Sequence, residues 1–250
     1  MLRIIMKYPL DAPLKTLLDI AAEKFKFHFE PVTAGGRTLR ILQISDMETY
    51  VDKLADEAEL SGVDLPFWAK IWPASVLISH YIQSLEVRPG QSMLEVGAGV
   101  GVSGLFAAAH GFKVVISDIN PEALLFTQIN ILENELSGCA SVRKVDFASD
   151  RLNKRFDFIL GSEILYIEDL HRPLVKFLLA HINRTPDAEI ILGKNYKRKA
   201  ARFFKLAAQD FLFSEKTIGC KTKDAENGEE DVERHLCTIY RLKARKQVSA

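Results

Sequence analysis

The sequence predicts an α/β protein: a doubly wound, mostly parallel sheet of seven strands that ends in a C-terminal antiparallel hairpin. Three observations carry this. From residue 93 onward, short runs rich in Val, Ile and Leu alternate with stretches of helical periodicity, the pattern of parallel strands covered by helices on both faces. The first run, MLEV, empties into a glycine-rich turn, GAGVG, ahead of a helical pattern. The last two runs, FLFSEKTIG and RHLCTIYRL, are joined by a polar stretch without a helix, so they should pair antiparallel.

The elements follow in order. Residues 12–27 place Leu14, Leu17, Leu18, Ala21 and Ala22 on one helical face. FKFHFE alternates apolar and polar residues, Gly35 and Gly36 supply a turn, and RTLRILQI returns, which makes a hairpin. Ser45 and Glu48 have capping-box spacing before Val51, Leu54, Ala55 and Ala58, so a helix should start there. Pro66 and Pro73 bracket the aromatic loop FWAKIW, and Pro73 suits the first turn of a helix running to about Leu85. MLEV is a strand, and the helix from Gly101 to His110 should stop at Gly111. KVVISD is the next strand, and Asn120 and Pro121 open a helix to about Glu133. ASVRKVDF, FDFILG and AEIILG are three further strands. The second is followed by a helix over about Leu170 to His181, the third by one over about Lys199 to Gln209. We expect residues 1–60 to form a helix-and-hairpin extension packed on a core domain of residues 61–250.

The bulk properties narrow the function. Of 250 residues, 48% are apolar, enough for a sizeable core. Thirty-three basic residues balance thirty-three acidic ones, which argues against a nucleic-acid partner. No apolar run approaches the ~18 residues of a membrane span. The apolar start MLRIIM is too short for a signal peptide, and Asp11 counts against a transit peptide, so the expected location is cytoplasmic. Cys139, Cys220 and Cys237 are far apart, and neither they nor the six histidines show metal-ligand spacing. No metal is expected. Two charge runs stand out. DAENGEEDVE at 224–233 joins the last two strands, and KNYKRKAARFFK at 194–205 is the one dense basic stretch. Each reads first as a solvated surface.

The glycine turn is the informative motif. From Gly99, GVGVSG is a literal dinucleotide fingerprint. A nicotinamide site and an S-adenosylmethionine site both predict an acid at the tip of the next strand, to hold ribose hydroxyls. Asp118 stands there, 19 residues after Gly99. Glu95 separates the two. A carboxylate buried in the strand before the turn needs partners, and it would repel a pyrophosphate. S-adenosylmethionine carries an ammonium, a sulfonium and no phosphate. Anchored on the strand end, the glycines are Gly97, Gly99 and Gly101, and the terminal hairpin also departs from the usual nucleotide-dehydrogenase pattern.

These pieces resemble a class I, Rossmann-like seven-strand methyltransferase, and more narrowly the family-16 protein lysine methyltransferases. The resemblance covers about residues 60–243. It rests on IWPASVLISHYI, LEVGAGVGVSG, VVISDINPEALLFTQINILEN and FDFILGSEILYIED. It implies S-adenosylmethionine as cofactor and S-adenosylhomocysteine as product. Gly97, Gly99 and Gly101 would let the methionine part lie against the backbone, and Glu95 would lie near its amino group. Asp118 would accept from the ribose hydroxyls. Asp146 would approach the adenine amino group with Phe147 beside the ring. Ser162 would line the methionine side, and Trp72 would pack over the cofactor. Where the family usually has D-x-x-Y, this chain has E-I-L-Y, so Glu163 and Tyr166 take the catalytic positions. The implied activity is methylation of a lysine in a partner protein. A small-molecule acceptor, or a cofactor-binding protein without chemistry, is compatible with the same residues.

Overall fold

The computed structural model describes residues 7–51, 66–223 and 232–245. Helix α1 (Leu14–Ala22) buries Leu17 and Ala21 and leads into the hairpin of β1 (Phe27–Ala34) and β2 (Arg37–Ile44). Their turn is Gly35-Gly36, with φ of +57° and +78°, the left-handed pair that a two-residue hairpin loop requires. A helical turn follows at 47–51. Its cap is Asp46 rather than Ser45. Asp46 Oδ1 accepts from the Thr49 amide at 3.0 Å, while Ser45 Oγ pairs with His28 Nδ1. Leu54, Ala55 and Ala58 of the expected helix lie outside the described residues, as does the expected boundary at 60/61.

Past the aromatic loop come α2 (Pro73–Ile82), β3 (Ser92–Val96), α3 (Val102–His110), β4 (Lys113–Asp118) and α4 (Pro121–Glu133). Then follow β5 (Ala140–Lys144), β6 (Phe158–Ser162), α5 (His171–His181), β7 (Glu189–Asn195) and α6 (Ala201–Ala207). The long pair β8 (Phe211–Lys223) and β9 (Val232–Ala244) closes the chain. Several helix ends differ from expectation. α1 stops at Ala22 rather than running to residue 27, and α6 covers Ala201–Ala207 rather than about Lys199 to Gln209. α2 stops at Ile82, and a 3-10 turn at Glu168–Leu170 precedes α5.

Seven strands form one sheet in the order β5-β4-β3-β6-β7-β9-β8. It is parallel from β5 to β7, and β9 runs antiparallel to both β7 and β8. Alternation along each strand feeds two apolar layers. Met93, Leu160 and Ile191 point to the layer holding Ile78, Phe106 and Phe126; Leu94, Ile159 and Ile190 point to the layer holding Leu174, Phe177 and Phe203. The chain winds outward from β3 through β4 to β5, then returns to β6 on the other side of β3. The winding reverses between β3 and β6, and ligands of such sheets sit beyond the carboxyl ends there.

Polar contacts along α4 tie the N-terminal extension to this sheet. Asn130 Oδ1 accepts from the Leu42 amide at 2.7 Å. Asn134 both accepts from Arg40 N and donates to Arg40 O. Spaced four apart, the two amides share one face of α4 and satisfy the edge of β2. Glu122 gathers Lys7 at 2.6 Å, Lys24 at 3.0 Å and Tyr8 at 3.3 Å.

Candidate active site

The glycine turn stands at the reversal point. Gly97, Gly99 and Gly101 have φ of +63°, +56° and +81°, a backbone that L side chains rarely adopt. Space is as restrictive as angle. A Cβ on Gly97 would come within 2.8 Å of Ile164 Cγ2, and one on Gly99 within 2.6 Å of the Trp68 carbonyl oxygen. The turn therefore touches the segment after β6 on one side and the aromatic loop on the other. Three stretches far apart in sequence meet at the carboxyl ends of β3 and β6.

The two acids of the glycine side are inside the fold. Glu95 is 1% exposed, and its Oε2 accepts from the Gly104 amide in the first turn of α3 at 2.9 Å. Burial pushes its carboxyl up to about 8. The Gly104 amide and Ser103 oppose this, and nearby Asp118 adds to it. Asp118 ends β4. Its Oδ2 accepts from Gly99 N at 2.8 Å and its Oδ1 from Asn120 N at 2.9 Å. Burial also raises its carboxyl above the usual range, against the pull of those amides. Asn120 caps α4 by accepting from the Glu122 and Ala123 amides. Asp118 thus holds the turn that it was expected to complement.

The other expected cofactor residues sit nearby in varied states. Ser162 ends β6, and its Oγ is buried with no hydrogen-bond partner among the described residues. Asp146, after β5, accepts from Ala148 N and Ser149 Oγ and so shapes its own turn. Phe147 is half-buried and meets the Phe177 ring edge-on. Trp72 donates its Nε1 proton to the Phe67 carbonyl at 2.9 Å, which fixes the aromatic loop before α2.

Glu163 follows Ser162 directly, with φ of +55°. For a residue other than glycine this costs about 1–3 kcal/mol and marks a position that surrounding structure enforces. The Glu163 amide donates to the Gly193 carbonyl of β7 at 2.8 Å. Its Oε1 accepts from Asn195 N at 2.5 Å, and its Oε2 lies 3.5 Å from Arg198 Nε. The side chain is 9% exposed. Burial raises its carboxyl, while Arg198, the Asn195 amide and Lys194 pull it back down. Tyr166, three residues on, is 54% exposed, with its ring edge-on to Phe67 at 6.2 Å. Glu163, Leu165, Tyr166, Lys194, Arg198 and Lys199 line a cavity of about 240 Å³.

The sequence reading did not assign Arg198, Lys194 or Asn195 to this site. The basic run was visible, but nothing local indicated that the end of β7 would bring it against Glu163.

The profile of a lysine methyltransferase family matches residues 61–210. The chain belongs to this family. Protein N-lysine methyltransferase METTL21A of Mus musculus is 28% identical over 154 residues, which cover 58% of this chain and 69% of that one. EEF1A lysine methyltransferase 3 of Xenopus tropicalis is 30% identical over 124 residues, covering 47% and 54%. Its Mus musculus counterpart is 33% identical over 125 residues, covering 48% and 53%. The chain spans about half the length of the EEF1A enzymes it matches. Among solved structures, the N-methyltransferase NodS of Bradyrhizobium japonicum, in complex with S-adenosylhomocysteine, superposes with a TM-score of 0.53. It is 16% identical and covers 78% of this chain and 98% of its own. A precorrin-6y C5,15-methyltransferase of Geobacter metallireducens gives 0.54 at 12% identity, covering 67% and 88%. These likenesses establish the class I methyltransferase fold.

Proposed function

We propose that this chain transfers the methyl group of S-adenosylmethionine to a lysine side chain of a partner protein and releases S-adenosylhomocysteine. Family membership supports the reaction type. The observation that carries the reading is the seating of Glu163: a buried acid after β6, one residue before the Ile164 side chain that packs on Gly97. The cofactor turn and the acceptor carboxylate are joined by a single intervening contact.

The residues present fit this cofactor. The turn is free of side chains at three positions, and the buried Ser162 hydroxyl next to it lacks a partner among the described residues. In this reading Gly97, Gly99 and Gly101 receive the methionine part, Ser162 lines it and Glu95 faces its amino group. Asp118 binds the ribose, Asp146 and Phe147 the adenine, and Trp72 covers the site. Bound there, S-adenosylmethionine supplies an electrophilic methyl group on a sulfonium.

The chain's own residues handle the acceptor. A lysine amine needs its lone pair, and neutralising it at pH 7 costs about 4.6 kcal/mol from a free pKa of about 10.4. A carboxylate beside the amine favours the ammonium, so Glu163 captures and aims it rather than deprotonating it, and the proton leaves to water. The Asn195 amide holds Glu163 in one rotamer for that task. Tyr166 and Phe67 wall the entrance with exposed rings that suit a side chain presented by a large partner. Residues 61–250 act as the methyltransferase domain, and the described part of residues 1–60 braces α4. The two described cysteines, Cys139 and Cys237, are unbridged, which fits a reducing cytoplasm. No described helix is long and apolar enough to cross a membrane, and a soluble protein partner, rather than nucleic acid, is the acceptor.

Incubation with methyl-labelled S-adenosylmethionine and a cell lysate tests this. We expect label that survives nuclease, is lost with protease and returns as methyl-lysine after acid hydrolysis. Label found in nucleic acid or in small molecules overturns the reading.

A further inference from the structure

We propose that the mouth of the acceptor cavity reads a carboxylate, so that the lysine this site serves is flanked by an aspartate or glutamate, with Arg198 as the reading residue. The proposal rests on the lysine-methyltransferase reading above and adds the class of substrate.

The chain is neutral overall, but this mouth is not. Lys194, buried near the end of β7, and Lys197, Arg198 and Lys199 just after it bring four cations here, and Lys194, Arg198 and Lys199 line the cavity. Lys70 adds a fifth cation: its Nζ lies 5.3 Å from the centroid of the Trp72 ring, which Arg198 Cζ approaches at 5.7 Å. The described acids nearby are Glu163, Glu168 and Asp169, and the last two face Arg202 at 3.7 and 3.6 Å. No described carboxylate pairs with Lys70, Lys197 or Lys199. The turn that presents these cations is built by its own bonds. Lys194 Nζ donates to the Arg198 carbonyl at 2.6 Å, Arg198 N to the Asn195 carbonyl at 3.0 Å, and Lys197 N to Asn195 Oδ1 at 2.9 Å.

Arg198 already occupies the acid that the acceptor needs. Its contact with Glu163 is a single one at 3.5 Å from Nε, not a two-point fork. An arriving lysine ammonium meets that guanidinium and a rim of like charge, which opposes entry. A carboxylate beside the lysine changes this. It offers the guanidinium a planar, two-point partner and draws it off Glu163. Glu163 is then free for the ammonium. Two ion pairs replace one, and no charge is left buried alone. A nucleic-acid phosphate would pair with the same cations but would bring its negative charge toward Glu163, and the neutral chain lacks the broad basic face such a partner needs.

The test uses three fluorescently labelled synthetic peptides, identical except that one central lysine is flanked by Asp, Ala or Arg. Binding is followed by fluorescence anisotropy at low salt, with a single-stranded oligouridine as a fourth probe. We expect the Asp-flanked peptide to bind roughly tenfold more tightly than the Ala-flanked one, and the Arg-flanked one least. That advantage should vanish in Arg198→Ala and reverse in Arg198→Glu, with both variants folded by circular dichroism. Equal affinity for the Asp and Ala peptides, no binding of any peptide, or tighter binding of the oligouridine overturns the proposal. The rise in Tm with S-adenosylmethionine, measured on the same samples, tests the underlying reading separately. A rise without acidic preference removes the rim alone, and no rise removes both.

Discussion

The two halves of the site are built on different principles. On the cofactor side, Glu95, Gly97–Gly101 and Asp118 lie within 24 consecutive positions, and their groups are satisfied by backbone amides of the same short stretch. On the acceptor side, Glu163 has a left-handed backbone, and its partners Asn195 and Arg198 come from the far end of another strand. The hydrogen bonds that hold the glycine turn and its two acids are local, although the turn also packs on Trp68 and Ile164 from distant segments. The acceptor side exists only when β6 and β7 are in register, with Ser162 opposite Gly193. Cofactor binding should therefore tolerate disturbance of the acceptor side, while turnover should not.

The largest effect expected tests that asymmetry at Glu163. Glu163→Gln keeps the shape and the bond from Asn195 N but removes the charge that we propose holds the ammonium. We expect turnover to fall by at least about a hundredfold, or ~2.7 kcal/mol of barrier, with cofactor affinity little changed. Glu163→Asp sharpens the point. Aspartate accepts positive φ more readily than glutamate but is one methylene short of the Asn195 amide. It should retain more activity than the glutamine variant. Wild-type turnover of a protein target by Glu163→Gln would show that other residues orient the amine.

The next effect lies on the other side. Asp118→Ala is expected to weaken S-adenosylmethionine at least tenfold by calorimetry, since charged hydrogen bonds are worth about 1.5–3 kcal/mol each. The same change leaves the buried Gly99 and Asn120 amides without their acceptor. Tm should therefore drop by several degrees while the circular dichroism spectrum keeps its shape. A fall in Tm with unchanged affinity would restrict Asp118 to a structural role in the turn.

What was legible in the sequence follows the same division. The succession of strands and helices, the glycine turn, Asn120 as a cap and the terminal hairpin all come from local chemistry: apolar runs, glycines at positive φ, and side chains that cap their own neighbours. The residues missed depend on distant pairing. Nothing in E-I-L-Y announces that Glu163 must take a left-handed backbone, because β7 enforces it through the Gly193 carbonyl. Asp46 displaced Ser45 as a cap because Ser45 turns to His28 across the hairpin. Asn130 and Asn134 lie in a stretch that carries the family resemblance, and in the fold they bind the backbone of β2. The acidic run at 224–233 falls largely outside the described residues, and its charge is opposite in sign to that of the cationic mouth near Glu163.

A third, smaller effect concerns pH. Glu95 in the folded chain has its carboxyl pushed up to about 8, against a starting value of 4.5. Between those values the folded state keeps a proton that the unfolded state releases. Stability from this group is thus lost as pH rises through the window, and the loss is complete above about 8. Glu95→Gln removes the titration. The Tm of the variant relative to the parent should climb steadily between about pH 4.5 and about pH 8 and level off above that, with most of the change below neutrality. A difference that is flat with pH would mean that Glu95 ionises in the fold without cost.

The smallest effect expected is at Tyr166. Its ring is half exposed and stands edge-on to Phe67, so most of its contribution to the acceptor entrance is the ring itself. A ring face attracts an ammonium by roughly 0.5–1 kcal/mol at exposed sites, and phenylalanine retains most of that. Tyr166→Phe should accordingly change turnover by no more than a few-fold. Tyr166→Ala removes the wall and should raise KM for a protein target well beyond that. The ratio of the two separates ring from hydroxyl. If Tyr166→Phe alone costs as much as Glu163→Gln, the hydroxyl shares the task of orienting the amine, and the acceptor side has two polar anchors rather than one carboxylate framed by rings.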